Sequence, residues 1–197
     1  MEQAILVRHA ESELSARRAV SGDPRVVVGL TPAGEAQARE LGRALAKDAI
    51  DLCVVTEFER TRRTAALALD GRRIPVEVWP ELNDPRAGDF EGGPLDAYRQ
   101  WCWAHGSRDE PPGGGESRLI VATRYAEGFR RLLARPEPSI LVVLHSLPLA
   151  YLLGAARGDG ISRRVELVEY ARAYRLTREE LCVALERLDA WCAAPTW

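Results

Sequence analysis

Two histidines in this chain share a setting. His9 follows the apolar run Ile5-Leu6-Val7 and stands directly after Arg8, and His145 closes the apolar run Ile140-Leu141-Val142-Val143-Leu144. A neutral imidazole is a nucleophile near neutral pH. A guanidinium offers a planar fork of donors that fits phosphate oxygens in pairs. Arg60, four positions after Thr56, could add a second cation. Asp84, in the acidic stretch Glu81-Leu82-Asn83-Asp84-Pro85, could hold or deliver a proton. Each has an ordinary alternative. His145 reads equally as a hydrogen-bonded core histidine, Arg60 as a helix-surface cation like Arg62 and Arg63, and Asp84-Pro85 as a turn. His105 reads as a loop residue.

The elements that must position these residues follow from periodicity. A short continuous apolar run with β-branching reads as a strand buried on both faces, so Arg8 and His9 fall where the first strand stops. Asp51 to Thr56 reads as a second strand, Ile74 to Trp79 as a third, and Ser139 to Leu144 as a fourth. Helices alternate with them. Thr31-Pro32 opens one, with Thr31 as N-cap, Pro32 at the first helical position, and Gly34, Ala38, Leu41 and Leu45 as its apolar stripe. Glu59 to Leu69 is another, carrying Arg60 in its first turn. Leu95 to Trp103 fits a short helix. Val121, Tyr125, Phe129 and Leu132 mark the next, and Leu149, Leu152 and Leu153 the one after His145. Val165 to Leu176 is ambiguous and is assigned to a strand near its end. Thr177 and Glu180 make a capping box before a closing helix through Leu181, Ala184, Leu185, Leu188 and Trp191. Ala10 to Leu30, Pro80 to Pro94 and Pro111 to Ser117 read as loops. Strands alternating with helices predict a single α/β domain over residues 1–197, with a mostly parallel central sheet and helices on both faces. Ligands of such sheets bind outside the carboxyl ends of the strands. Arg8, His9, Thr56, the Asp84 loop and His145 all fall at that edge.

Composition narrows the function. The 197 residues carry a formal net charge of −2, and Lys47 is the one lysine, which argues against a nucleic-acid binder. No signal peptide or membrane-length apolar run is visible. Cys53, Cys102, Cys182 and Cys192 form no C-x-x-C pair and are expected as free buried thiols, as in a reducing cytoplasm. Three unpaired histidines make a poor ligand set, so neither metal nor cofactor is expected.

The set of motifs resembles the histidine phosphatase superfamily, the phosphoglycerate-mutase-like fold. Leu6-Val7-Arg8-His9-Ala10-Glu11-Ser12 resembles its opening Arg-His-Gly motif, with Ala10 in place of the glycine. Thr56, Arg60 and Thr64-Ala65 resemble the second motif. Leu82-Asn83-Asp84 followed by Gly88 and Glu91-Gly92 resembles the third, with Asp84 where glutamate is common. Gly114-Gly115-Glu116-Ser117 and the strand ending in His145 complete the series, with Ser146 replacing a frequent glycine and Ser15 standing where some members carry asparagine. The resemblance implies that His9 attacks phosphorus and that Arg8, Arg60 and His145 hold phosphoryl oxygens. It also implies that Asp84, with Glu81 as fallback, protonates the leaving oxygen, for which a raised pKa is expected.

The sequence therefore predicts a cytoplasmic, metal-independent phosphomonoesterase acting on a small phosphorylated metabolite. Ser15, Ser21, Gly22 and Ser146 join Arg8, Arg60 and His145 as candidate substrate contacts. No nucleic-acid or membrane partner is expected, and a homodimer is left open. The rival reading is a phosphoglycerate-mutase-type phosphotransferase, which Arg86, Arg99 and Arg108 keep open while the short stretch from Gly92 to Pro111 weighs against it. A non-catalytic phosphate-binding protein on the same fold is the third reading.

Overall fold

The computed structural model describes residues 1–197. Its order is β1 (Gln3–Arg8), α1 (Glu13–Ala16), α2 (Pro32–Ala44), β2 (Leu52–Val55), α3 (Glu59–Ala68), β3 (Val76–Val78), α4 (Leu95–Ala104), α5 (Arg118–Leu133), β4 (Ser139–Leu144), α6 (Ser146–Arg157), β5 (Ala173–Thr177) and α7 (Arg178–Ala193). Two single 3₁₀ turns, Pro80–Leu82 and Gly88–Phe90, lie between β3 and α4. The sheet order is β3-β2-β4-β1-β5. The first four strands run parallel and β5 runs antiparallel beside β1.

The continuous apolar runs of β1 and β4 exist because both faces are covered. Ala4 and Leu6 of β1, with Val142 and Leu144 of β4, face the larger core, which Phe129 of α5, Leu152 of α6 and Leu185 of α7 complete. The alternate residues Ile5, Val7, Leu141 and Val143 face the smaller core beneath Leu41 of α2 and Ala65 of α3. Burying each Leu, Ile or Val among them contributes about 1.5–3 kcal/mol.

The register of β1 against β4 sets the site. Arg8 lies opposite Leu144, and the backbone N–H of His9 donates to the Leu144 carbonyl at 2.8 Å. The two residues that follow these strands are therefore neighbours by construction, and the His9 and His145 rings sit 5.4 Å apart.

Three expectations are corrected, and the strand expected near the end of Val165 to Leu176 is present as β5. The Ala10–Leu30 loop contains the one-turn helix α1, capped by Ser12. The third strand shrinks to Val76–Val78 at the sheet edge, where Val76 and Val78 are half-exposed. The ambiguous C-terminal stretch becomes strand only from Ala173, because β5 pairs with β1 alone and its partner residues run out at Val7. Cys53 and Cys102 are buried free thiols, but Cys182 and Cys192 are partly exposed. No helix is long and apolar enough to cross a membrane.

Candidate active site

Arg60 is the hub. It sits in the first turn of α3, 2 % exposed, with its guanidinium 4.0 Å above the ring of Phe58, the residue that caps that helix. Its Nε–H donates to Nε2 of His9 at 3.2 Å. One terminal nitrogen donates to Ser21 Oγ at 3.0 Å, and the other to the Ser21 carbonyl at 2.9 Å and to Asp84 Oδ2 at 2.7 Å. Thr64 fastens this turn to β1: its hydroxyl donates to the Arg60 carbonyl at 2.6 Å and accepts from Ala10 N–H at 3.0 Å.

The Ala10 carbonyl fixes the tautomer of His9. Nδ1 of His9 lies 2.7 Å from the Ala10 carbonyl, an acceptor only, so Nδ1 carries the proton and the lone pair is on Nε2. Nδ1 of His145 lies 3.1 Å from Asp84 Oδ2, and its Nε2 lies 3.0 Å from Thr56 Oγ1. That Nδ1 also lies 3.2 Å from a terminal nitrogen of Arg60; in the tautomer whose Nδ1–H donates to the Asp84 carboxylate, Nε2 accepts from Thr56. Burial, aided by Arg60, His145 and Arg8, pushes the His9 pKa well below its usual value. Burial also lowers His145, to about 4, against the opposing pull of Asp84. Both rings are neutral at physiological pH.

Asp84 departs from the expected raised pKa. Burial raises it, but His145 and Arg60 outweigh burial and hold the carboxyl below its usual range. Its side chain is a quarter exposed, so solvent also favours the ionised form. Glu81 is elsewhere: the 3₁₀ turn Pro80–Leu82 aims it at α5, where it accepts from Arg131 at 3.0 Å.

Arg8, 7 % exposed, lies 3.7 Å from the ring centroid of Tyr170, and its guanidinium donates to the Val168 carbonyl at 2.6 Å. Val168 N–H in turn donates to Ser146 Oγ at 2.9 Å. Ser146 therefore ties down the segment that holds Arg8. A cleft with about 1030 Å³ of space, part of it open to solvent, lies above these groups. Arg8, His9, Arg60 and Asp84 line its floor, and Ser15, Ser21, Gly22 and Ser146 line its wall. Gly22 is required by proximity: a Cβ there would stand 2.1 Å from the Pro85 carbonyl oxygen. His145 is fully buried beneath the floor. Of the three arginines that the sequence offered for a second acidic group, Arg99 lines the cleft, whereas Arg86 and Arg108 are exposed outside it. His105 stacks on Trp101 at 4.1 Å, away from the site. Sequence reasoning missed Phe58, Tyr98, Arg118 and Tyr170. Tyr170 and Arg118 carry no motif signal, and Tyr98 gave only its place on the short helix. No cluster of three or more histidine, cysteine or acidic residues is arranged to hold a metal ion.

Comparison with known proteins names the class. The chain belongs to the histidine phosphatase superfamily (branch 1), whose family model matches residues 4–189. It is 32 % identical over 164 residues to the adenosylcobalamin/alpha-ribazole phosphatase of Escherichia coli K12, a match covering 76 % of this chain and 78 % of that protein. It is 36 % identical over 166 residues to a 2,3-bisphosphoglycerate-dependent phosphoglycerate mutase of a Methylobacterium species, covering 76 % and 77 %. The crystal structure of the alpha-ribazole phosphatase from Shigella flexneri superimposes with a TM-score of 0.75 at 27 % identity, covering 88 % of this chain and 89 % of that one. The chain is a phosphatase of this superfamily.

Proposed function

We propose that the chain hydrolyses the phosphomonoester of a small metabolite through a phosphohistidine on His9, without a divalent metal. The observation that carries this reading is the tautomer of His9. Its proton is tied to the Ala10 carbonyl, which leaves the Nε2 lone pair toward Arg60 on the cleft floor. Nε2 attacks phosphorus and the bond from phosphorus to the alcohol oxygen breaks. Arg8, Arg60 and Nδ1–H of His145 face the negative charge that spreads over the phosphoryl oxygens. Asp84 gives its proton to the leaving oxygen. Water then attacks the phosphohistidine, Asp84 takes a proton from it, and phosphate leaves.

Asp84 is ionised before substrate binds, so its proton must arrive with the substrate. A phosphate monoester has a second pKa of roughly 6, and its monoanion can hand that proton to Asp84. A phosphoryl group beside Asp84 also draws Arg60 away from it, which favours the protonated acid.

Phosphotransfer as a mutase uses the same phosphohistidine. It needs a second acidic group held so that either oxygen of the substrate can meet His9, and of the three arginines considered only Arg99 borders the cleft. A cytoplasmic setting is part of the proposal, supported by four free cysteines; neither nucleic acid nor membrane is proposed as a partner. The test is a rapid acid-free quench after incubation with ³²P-labelled substrate. Label should remain on wild-type protein, be lost in acid and survive base. His9→Ala should carry no label and show no turnover, and chelators should leave wild-type activity intact. Stable labelling of His9→Ala would overturn the mechanism.

A further inference from the structure

At the wall of the cleft stands a second cation with no anion. Arg118 opens α5 and is only 8 % exposed, yet it lines the cleft. Its Nε–H has no hydrogen-bond acceptor. The groups that act on it most strongly are Tyr151, Tyr98, Cys102 and Tyr125, and it forms no ion pair with a carboxylate, unlike Arg60 and Arg124. The hydroxyls of Tyr98, Tyr125 and Tyr151 are likewise buried without a partner. Tyr98 is 7 % exposed and also lines the cleft. Buried arginines in folded proteins are ordinarily paired, because an isolated buried charge is costly. The same chain shows the ordinary case at Arg124, whose guanidinium reaches Glu116 at 3.1 Å. Arg18, at the same cleft, is paired with Asp96, and Arg99 donates to the Val165 carbonyl.

One other guanidinium in the chain has an unpartnered buried Nε, that of Arg8 on the phosphoryl floor. The parallel is chemical. A guanidinium that keeps donors free inside a cleft is built for an anion that arrives with the ligand. Tyr98 adds a hydroxyl donor on the cleft wall beside it, so an incoming anion would find charge and a hydrogen bond together. Leu95, Leu147, Val165 and Leu167 line the cleft as well, so the body of the substrate has apolar wall to rest on while its two ends are charged.

We propose that Arg118, with Tyr98, holds a second anionic group on the substrate, a carboxylate or a second phosphoryl group, and so determines which phosphomonoesters are hydrolysed. This rests on the phosphatase reading above, and the experiment separates the two. Phosphate release is measured for a series of ω-phosphorylated alkanoates of increasing chain length, for their primary amides, and for alkanediol bisphosphates beside the matching monophosphates. Wild type should prefer the charged member by about 10- to 100-fold in kcat/KM at the chain length that spans the two sites. The pair in which the preference appears identifies carboxylate or phosphoryl as the anion. Arg118→Met should bring the ratio to within about twofold of one, and Arg118→Lys should leave it in between, since ammonium keeps the charge and loses the fork.

Non-hydrolysable methylenephosphonate versions of the acid and amide, titrated calorimetrically into His9→Ala, give the same ratio without turnover. Failure to release phosphate from any ester, with the binding preference intact, would count against the phosphatase reading alone. A ratio near one at every chain length in wild type, or one that persists in Arg118→Met, would overturn the assignment of Arg118. So would a fall of many degrees in the melting temperature of both Arg118→Met and Arg118→Lys with no change in the ratio, which would make Arg118 a packing residue of the α4–α5 junction. Removal of an unpaired buried charge should instead leave the melting temperature unchanged or higher.

Discussion

The Nε–H of Arg60 donates to Nε2 of His9 across 3.2 Å, so the lone pair proposed to attack phosphorus is capped by a cation until substrate arrives. The same guanidinium donates to Ser21 and Asp84 and lies 3.2 Å from Nδ1 of His145. Its donors must therefore pass from protein acceptors to phosphoryl oxygens as the ester binds, and that exchange uncaps the nucleophile. Lysine cannot reproduce this. An ammonium is one point charge, whereas the planar fork serves three directions at once. Arg60→Lys should lower kcat/KM on p-nitrophenyl phosphate by about 10²–10³-fold, the usual loss when a donor to developing oxyanion charge is removed. A loss under threefold would mean that charge alone suffices and that the hub geometry is incidental.

The neutral histidines set a pH dependence. Between about pH 4 and 6.5 the folded protein keeps His145 neutral while an unfolded chain would protonate it, and His9 behaves in the same direction. The unfolded state then binds more protons, so stability falls as pH drops from 6.5 toward 4. The melting temperature should decline over that window, and His145→Asn, which does not titrate, should decline less steeply. The acid limb of kcat/KM should also lie below pH 6.5, because Nε2 of His9 keeps its lone pair there. Coincident slopes for wild type and His145→Asn would remove His145 as a source of the effect.

Ser146 was expected to touch substrate, and its position in the cleft permits that, but its hydroxyl also accepts from Val168 N–H. Val168 in turn accepts from Arg8, and Tyr170 lies under the Arg8 guanidinium. Ser146→Ala should loosen this clamp and raise KM several-fold with little change in kcat. Tyr170→Ala should do the same, losing a cation–π contact of about 0.5–2 kcal/mol, while Tyr170→Phe keeps the ring and should resemble wild type. Inhibition by inorganic phosphate should weaken in step with KM. A Tyr170→Phe defect as large as that of Tyr170→Ala would assign the role to the hydroxyl instead.

These residues also show where sequence reading stops. His9 and His145 were legible because each ends a continuous apolar run, and parallel strands bring such ends to one edge. The opposition of Arg8 to Leu144, which makes the two histidines neighbours, is a register and cannot be read from either run alone. Tyr170 was hidden because its stretch resembles a strand in composition, yet β5 starts only at Ala173. The unpaired state of Arg118 is a tertiary fact: its sequence neighbours Glu116 and Arg124 satisfy each other, and nothing local shows that Arg118 is left without an acid. The acidic loop offered two candidate donors three residues apart. A single 3₁₀ turn separates them, sending Glu81 to Arg131 and leaving Asp84 beside Arg60 and His145.

That separation makes the role of Asp84 testable through the leaving group. An alkoxide is a strong base and needs a proton as its bond to phosphorus breaks, whereas p-nitrophenolate can depart without one. General acids contribute about 10²–10⁴-fold, so Asp84→Asn should reduce turnover of alkyl phosphates by about that factor where phosphorylation of His9 limits the rate. It should affect p-nitrophenyl phosphate far less. The basic limb of the pH profile should flatten in the variant with alkyl substrates, because that limb tracks loss of the substrate proton and asparagine cannot relay that proton to the leaving oxygen. Asparagine keeps an oxygen for Arg60, so the hub survives and the comparison isolates the proton. Glu81→Gln, made in parallel, should leave both substrates near wild-type rates, since Glu81 contacts Arg131 and does not line the cleft. Equal losses on both substrate types in Asp84→Asn would turn Asp84 into a partner that orders Arg60 and His145 and no more. A differential loss in Glu81→Gln would move the acid three residues upstream and require the Pro80–Leu82 turn to reorganise when substrate binds.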